Sequence, residues 1–306
     1  MDKRVGVIGC GWVGTSVAIS TLQSGAADQL WLHDLRGELA EGEAMDLRHG
    51  AAFYPRCQVQ TASIEQMREA RVVVVAAGRG SKPGESRLDL LRDNARIVTQ
   101  IGQTLAGFAG TVVMVSNPVD VLTQVMTEAS GLPPERVLGT GTMLDTARLR
   151  QTLGQTLNLA TNSVHAQVVG EHGDSEVVLW SGARVGGVPL RDWPGWVMAD
   201  EPGIALAVRH AAYEVIARKG ATNHAIGLVT ASLLHSMLRG ERRVLTVSRV
   251  QQGALGLHDL ALSLPTVVGQ DGGVQVVAPA MDDTERAALE QSAHVLRQAM
   301  ASLRGG

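Results

Sequence analysis

The stretch Gly9-Cys10-Gly11-Trp12-Val13-Gly14, directly behind the apolar run Val5-Gly6-Val7-Ile8, constrains the fold of this chain more than any other feature. Such a glycine pattern alone is weak evidence. Here it ends an apolar run and opens a helix-like stretch in which Val13, Val17 and Thr21 share a face. It also lies twenty residues before Asp34, at the end of a second run, Gln29–His33. Gly9 permits a sharp turn, Gly11 lets the backbone approach a pyrophosphate, and Gly14 allows a helix to sit close on a sheet. The free N–H groups of the helix start, at Trp12 and Val13, face the phosphates. Asp34 is expected to accept hydrogen bonds from the adenosine ribose, and its charge repels a 2′-phosphate. The cofactor expected is therefore NAD, not NADP, with Arg36 close enough to soften the choice.

Further apolar runs at Val72–Ala77 and Thr111–Val115, with helix-compatible segments between them, predict alternating βα units and a Rossmann-type, doubly wound parallel sheet. After about residue 140 the pattern changes. Ala183 to Leu190, with Gly186-Gly187 at its centre, reads as a tight hairpin, and Arg243–Val250, Ala261–Val268 and Val274–Val277 read as antiparallel strands. Helices are predicted from Ile204 to Arg218 and from Thr222 to Leu238. Pro194, Pro202 and Gly203 mark an irregular connection. Leu289, Ala293, Leu296, Met300 and Leu303 form the apolar face of a terminal helix. The division expected is a cofactor domain over 1–140 and an α+β catalytic domain with antiparallel strands over 141–306.

The 306 residues carry 27 Lys+Arg against 30 Asp+Glu, a net charge of −3, which argues against a nucleic-acid surface. Cys10 and Cys57 are too few for a disulfide framework or a metal-ligand set. The opening MDKRVGVIGC lacks the apolar region of a signal peptide, and no apolar run reaches the roughly 18 residues of a membrane span. A cytoplasmic protein without membrane or nucleic-acid partners is expected.

Four more segments carry chemistry: Gly84-Glu85-Ser86-Arg87-Leu88-Asp89-Leu90, Ser116-Asn117-Pro118-Val119-Asp120, Leu144-Asp145-Thr146-Ala147-Arg148 and Gly170-Glu171-His172-Gly173-Asp174-Ser175. With the glycine fingerprint, and in this order over essentially the whole chain, they resemble the L-lactate/L-malate dehydrogenase superfamily, and more closely its bacterial lactate dehydrogenase branch. The resemblance implies NAD-dependent interconversion of a 2-oxo and an L-2-hydroxy acid, with His172 as acid/base and Asp145 as its partner. Reduction of a 2-oxo acid creates an alkoxide that needs a proton, and imidazole titrates in the right range to give or take it. A carboxylate on the other ring nitrogen fixes the tautomer. Arg148, about one helical turn after Asp145, is implied to anchor the substrate carboxylate through two parallel hydrogen bonds. Arg87, behind the glycine-rich stretch that begins at Gly78, is implied to polarise the substrate carbonyl when that lid closes. Asn117 is expected near the reacting oxygen or the nicotinamide, and Thr222 in the pocket wall.

The family's specificity position, directly before Lys82-Pro83-Gly84, holds Gln in lactate and Arg in malate dehydrogenases; this chain has Ser81. A second substrate carboxylate loses its ion partner there, and the smaller side chain leaves room for a group larger than pyruvate's methyl, as does Ala221. Arg79 and Lys82 flank the position as alternative cations. The readings to separate are lactate dehydrogenase, a dehydrogenase of bulkier acids such as 2-hydroxyisocaproate, and malate dehydrogenase. From other classes come a metal-dependent dinucleotide hydrolase, for which no ligand cluster is evident, and a non-catalytic NAD-binding protein. Arg150 and His165 resemble the positions where fructose 1,6-bisphosphate activates some bacterial members. The resemblance also implies a homotetramer.

Overall fold

Four consecutive valines, Val72–Val75, are all essentially excluded from solvent, which requires cover on both faces of the strand they form. Alternate side chains point opposite ways. Val73 and Val75 join one core and Val72 and Val74 join another, on the other side of the sheet. The computed structural model describes residues 3–80 and 86–305.

The first half runs β1 (Arg4–Ile8), α1 (Trp12–Ser24), β2 (Gln29–His33), α2 (Gly37–His49), β3 (Gln58–Thr61), β4 (Val72–Val75), α3 (Arg87–Thr104), β5 (Thr111–Met114), α4 (Val119–Ser130) and β6 (Val137–Gly139). These strands are parallel neighbours in the order β3-β2-β1-β4-β5-β6, the doubly wound order in which ligands bind beyond the strand ends where the winding reverses, between β1 and β4.

The second half contributes α5 (Met143–Thr156), the short strands β7 (Val164–His165), β8 (Val168–Val169), β9 (Val177–Val178), β10 (Arg184–Val185) and β11 (Val188–Pro189), then α6 (Glu201–Lys219) and α7 (His224–Arg239). It closes with β12 (Arg243–Gln252), β13 (His258–Gly269), β14 (Gly272–Val276) and α8 (Asp283–Arg304). The expected hairpin is β10–β11, with positive φ at Gly186 and Gly187. The antiparallel strands do not form a sheet apart: β12 pairs antiparallel with β6 through Ser248 and Gly139, so β12, β13 and β14 extend the parallel sheet to nine strands. Strand periodicity cannot report this, because it shows which face is buried but not which neighbour is paired.

Two expectations are corrected. Pro202 and Gly203 lie in the first turn of α6, where proline's missing N–H has no intrahelical partner to lose. The next helix starts at His224, leaving Thr222 in the preceding connection. The terminal helix is as expected, opened by an Asp282/Glu285 capping box, with Leu289, Ala293, Leu296 and Met300 buried. Among the described residues, no helix is long and apolar enough to cross a membrane.

Candidate active site

At the end of β1 the chain turns through Gly9, whose φ of +98° is unfavourable for other residues. A Cβ on Gly9 would meet the Ala77 backbone nitrogen at 2.7 Å, and one on Gly14 would meet the Gly9 carbonyl oxygen at 1.7 Å. Those two glycines are demanded by the packing of α1 on β1 and β4. Gly11 is different, because a Cβ there meets no described residue within 4 Å. The fold leaves the space over Gly11 open, which suits close approach by a ligand. The first helical bond runs from Thr15 N–H to the Gly11 carbonyl, so the N–H groups of Trp12, Val13 and Gly14 point out of the helix start with no backbone partner among the described residues. Asp34 sits at the end of β2 with its carboxylate held by the N–H groups of Cys10 and Arg36, both at 2.9 Å, and Arg36 Nε stands 3.7 Å away. His33, Asp34, Gly37 and Ala62 line one cavity beside it. This crevice fits a dinucleotide: an open backbone approach, N–H donors unpaired among the described residues, and an oriented carboxylate. Gly78, behind β4, lies against the Asn94 side chain.

A second cavity, about 370 Å³, is bordered by Asn117, Asp145, Arg148 and His172 together with Glu176 and Arg209. A roomier groove of about 520 Å³ between α3, α4 and α8 is lined mainly by arginines and apolar side chains, with Glu128 and Thr99, and has no imidazole in its described lining. Chemistry, not volume, selects the site. Four expected residues thus meet from three separate segments: Asn117 after β5, Asp145 and Arg148 on α5, and His172 in the turn between β8 and β9.

His172 is fixed twice. Its backbone N–H donates to Asp120 Oδ2 at 2.7 Å, and its Nδ1 lies 2.5 Å from Asp145 Oδ2. That leaves Nε2 for the cavity. Asp145 Oδ1 accepts from Arg148 Nη1 at 2.8 Å, so one buried carboxylate orients both the imidazole and the guanidinium. Burial alone lowers the pKa of His172, but the Asp145 charge and hydrogen bond override it and raise the imidazolium to about 9. Burial opposes ionisation of Asp145, yet His172 and Arg148 hold its carboxyl below the usual range. Burial lifts Asp120 to about 6.

Thr222 lies outside the lining of this cavity. Ser81 is outside the described residues, as is Lys82; Arg87 opens α3, with its side chain outside the described part. Arg79 is tied to α3, with Nε donating to Asp93 Oδ2 at 2.8 Å. Arg150 and His165 border a separate surface cavity of about 360 Å³ with Arg184, and Arg150 Nε donates to the Ala166 carbonyl at 2.9 Å. Sequence reasoning missed Asp120, Glu176, Arg209 and Tyr213. Asp120 was within reach, since it ends the Ser116–Asp120 segment. Glu176 and Arg209 carry no local signal, because only the fold brings α6 against the turn that holds His172.

Residues 3–139 match the family model described as lactate/malate dehydrogenase, NAD binding domain, and residues 142–304 match lactate/malate dehydrogenase, alpha/beta C-terminal domain. The chain is 41% identical to an L-lactate dehydrogenase of Kosmotoga olearia, covering 98% of this chain and 96% of that one. It is 42% identical to an L-lactate dehydrogenase of Thermus aquaticus, covering 98% and 99%. Among solved structures, the ligand-bound minor L-lactate dehydrogenase of Enterococcus mundtii superposes with a TM-score of 0.96 at 38% identity, over 99% of each chain.

Proposed function

The chain belongs to the lactate/malate dehydrogenase family, and we propose that it is an NAD-dependent L-2-hydroxyacid dehydrogenase interconverting pyruvate and L-lactate. The observation that carries this reading is the 2.5 Å contact of His172 Nδ1 with Asp145, which turns Nε2 toward a cavity shared with Arg148. Bound NAD supplies the hydride acceptor or donor. Arg148, with Nη1 committed to Asp145, presents the rest of its guanidinium fork to the substrate carboxylate. His172, protonated on Nε2, gives its proton to the oxygen of the 2-oxo group during reduction and takes it back during oxidation. Asp145 keeps Nδ1 protonated and stabilises the imidazolium. Asn117 borders the reacting centre, and Arg87 polarises the substrate carbonyl.

The substrate side chain is set by the lid. Ser81 removes the cation that a second carboxylate would need and leaves space, which favours pyruvate and bulkier 2-oxo acids over oxaloacetate. The cavity bordered by Arg150, His165 and Arg184 suits a phosphate ester such as fructose 1,6-bisphosphate as effector. A homotetramer in the cytoplasm completes the reading. The deciding experiment follows NADH absorbance with pyruvate, oxaloacetate and 2-oxoisocaproate, each with and without fructose 1,6-bisphosphate. Dominant turnover of pyruvate is expected; dominant turnover of oxaloacetate overturns the lid argument, and no turnover of any acid overturns the enzyme.

A further inference from the structure

Glu176 stands immediately before β9 and lines the cavity of His172 and Arg148, yet the chemistry above makes no use of it. The residue is 5% exposed, its Oε1 is sealed from solvent, and its carboxyl group accepts no hydrogen bond from any described residue. Charged groups face it from three elements: Asp145 and Arg148 from α5, His172 from its own turn, and Arg209 from α6. Asp120, on α4, acts on His172. Arg209 Nη2 donates to the Glu176 backbone carbonyl at 3.3 Å, while Arg209 Nε is buried without a partner among the described residues. Two side chains of opposite charge therefore line one cavity without forming an ion pair. A carboxylate with one oxygen sealed from water and no donor among the described residues is costly to keep charged, and the neighbouring Asp145 charge adds to that cost. The protonated acid escapes both penalties.

We propose that Glu176 is a positioning residue that must hold a proton for the 2-oxo acid to bind: neutral, it leaves the positive field of Arg148 and Arg209 to the substrate carboxylate, and ionised, it cancels that field and repels the substrate. The inference rests on the dehydrogenase reading. As pH rises, the proton leaves Glu176 for water and the affinity for the anionic substrate falls. Burial first, then Asp145, push the carboxyl up to about 8 against the pull of His172, Arg209 and Arg148. His172, which must also be protonated for reduction, stands at about 9.

The test is the KM for pyruvate from about pH 6.5 to 10, in the parent and in Glu176→Gln. Each group that must be protonated adds a slope of about one to log KM against pH above its own pKa. The parent is expected to rise with slope one above about pH 8 and to approach two above about pH 9, whereas Glu176→Gln shows a single limb of slope one. Losing the Glu176 charge also lowers the pKa of His172, so the slope, not the midpoint, is diagnostic. A merely structural role would shift KM by one factor at every pH. Equal slopes in the two proteins overturn the proposal. An independent readout is the infrared carbonyl stretch of a protonated carboxylic acid. It is expected in the parent at neutral pH, lost on raising the pH above the Glu176 range, and missing from Glu176→Gln. In Arg209→Gln, which carries the test if Glu176→Gln does not fold, the band persists to higher pH. No such band in the parent overturns the proposal whether or not the enzyme turns over. Failure to reduce any 2-oxo acid, with the band present, overturns only the dehydrogenase reading.

Discussion

His172 Nδ1 lies 2.5 Å from Asp145 Oδ2, a contact that joins the turn after β8 to the first turn of α5 across 27 residues of sequence. Because the other oxygen of the same carboxylate holds Arg148, the acid/base and the anion anchor share one rigid reference point. Geometry of this kind separates the proton-transfer function of the site from its binding function, and substitutions should separate them too.

Replacing His172 with Asn should leave NADH binding nearly intact while turnover falls by about 10²–10⁴-fold. Asp145→Asn should fall comparably, since an amide cannot stabilise the imidazolium. NADH fluorescence titration and single-turnover reduction check this; retained turnover in His172→Asn removes it as the acid/base.

Arg148→Lys replaces a planar fork by a point charge. The loss of a charge-assisted hydrogen bond, about 1.5–3 kcal/mol, should appear mainly as a KM for the 2-oxo acid raised by roughly 10–100-fold. A KM left at the parent value would assign the carboxylate to another group.

For Asp34→Ser, the ratio of kcat/KM with NADP to that with NAD should rise by about tenfold or more, equivalent to at least about 1.4 kcal/mol. The Cys10 and Arg36 N–H groups keep a hydroxyl oxygen near them in this variant. Steady-state kinetics with the two cofactors reads the ratio, and no gain would deny Asp34 its ribose contact.

The two glycines of the fingerprint should answer differently to alanine. Gly14→Ala drives a methyl into the Gly9 carbonyl and should cost about 1–3 kcal/mol of stability. Gly11→Ala meets no described residue and should keep its Tm while NADH affinity drops. Thermal melts paired with NADH titration distinguish the cases; equal melting losses would mean that Gly11 serves the fold.

Reduction of the 2-oxo acid needs the imidazolium, so its kcat should persist to about pH 9 and fall above it, with oxidation rising over the same range. Stability follows the same sign. The His172 pKa is raised by folding, so its contribution is full below the unfolded value of 6.5 and is lost as pH rises through about 9. The depressed carboxyl of Asp145 works oppositely, contributing above its ordinary 3.8 and losing that contribution as pH falls through its lower folded value. A pH profile of Tm for the parent against His172→Asn reads the alkaline loss directly.

Much of the parallel half was legible because its signals are local: runs such as Val72–Val75 bounded by turn residues, and a glycine pattern whose spacing is dictated by one strand, one turn and one helix. The amphipathic face of α8 was legible for the same reason, each apolar residue being about one helical turn from the next. Thr222 was misplaced because helix starts depend on capping geometry within a few residues, and Pro202 because a proline that ends one helix is as welcome at the start of another. The union of β12 with β6 rests on the pairing of Ser248 with Gly139, residues 109 positions apart, to which no periodicity points.

The order of residues alone sets which side chains are present for the chemistry and, through the glycine fingerprint, Asp34 and the ordered motifs around Asp145, Arg148 and His172, what kind of cofactor and reaction they suit. Folding is what makes His172 and Arg148 share Asp145, sets Asp120 against the His172 backbone, and brings the Glu176 and Arg209 side chains to the same cavity with no ion pair between them. The physical reason is that a side chain's type is set along the chain, whereas its burial and its charged neighbours, which fix its pKa and its role, come from segments that meet only when the sheet closes its core.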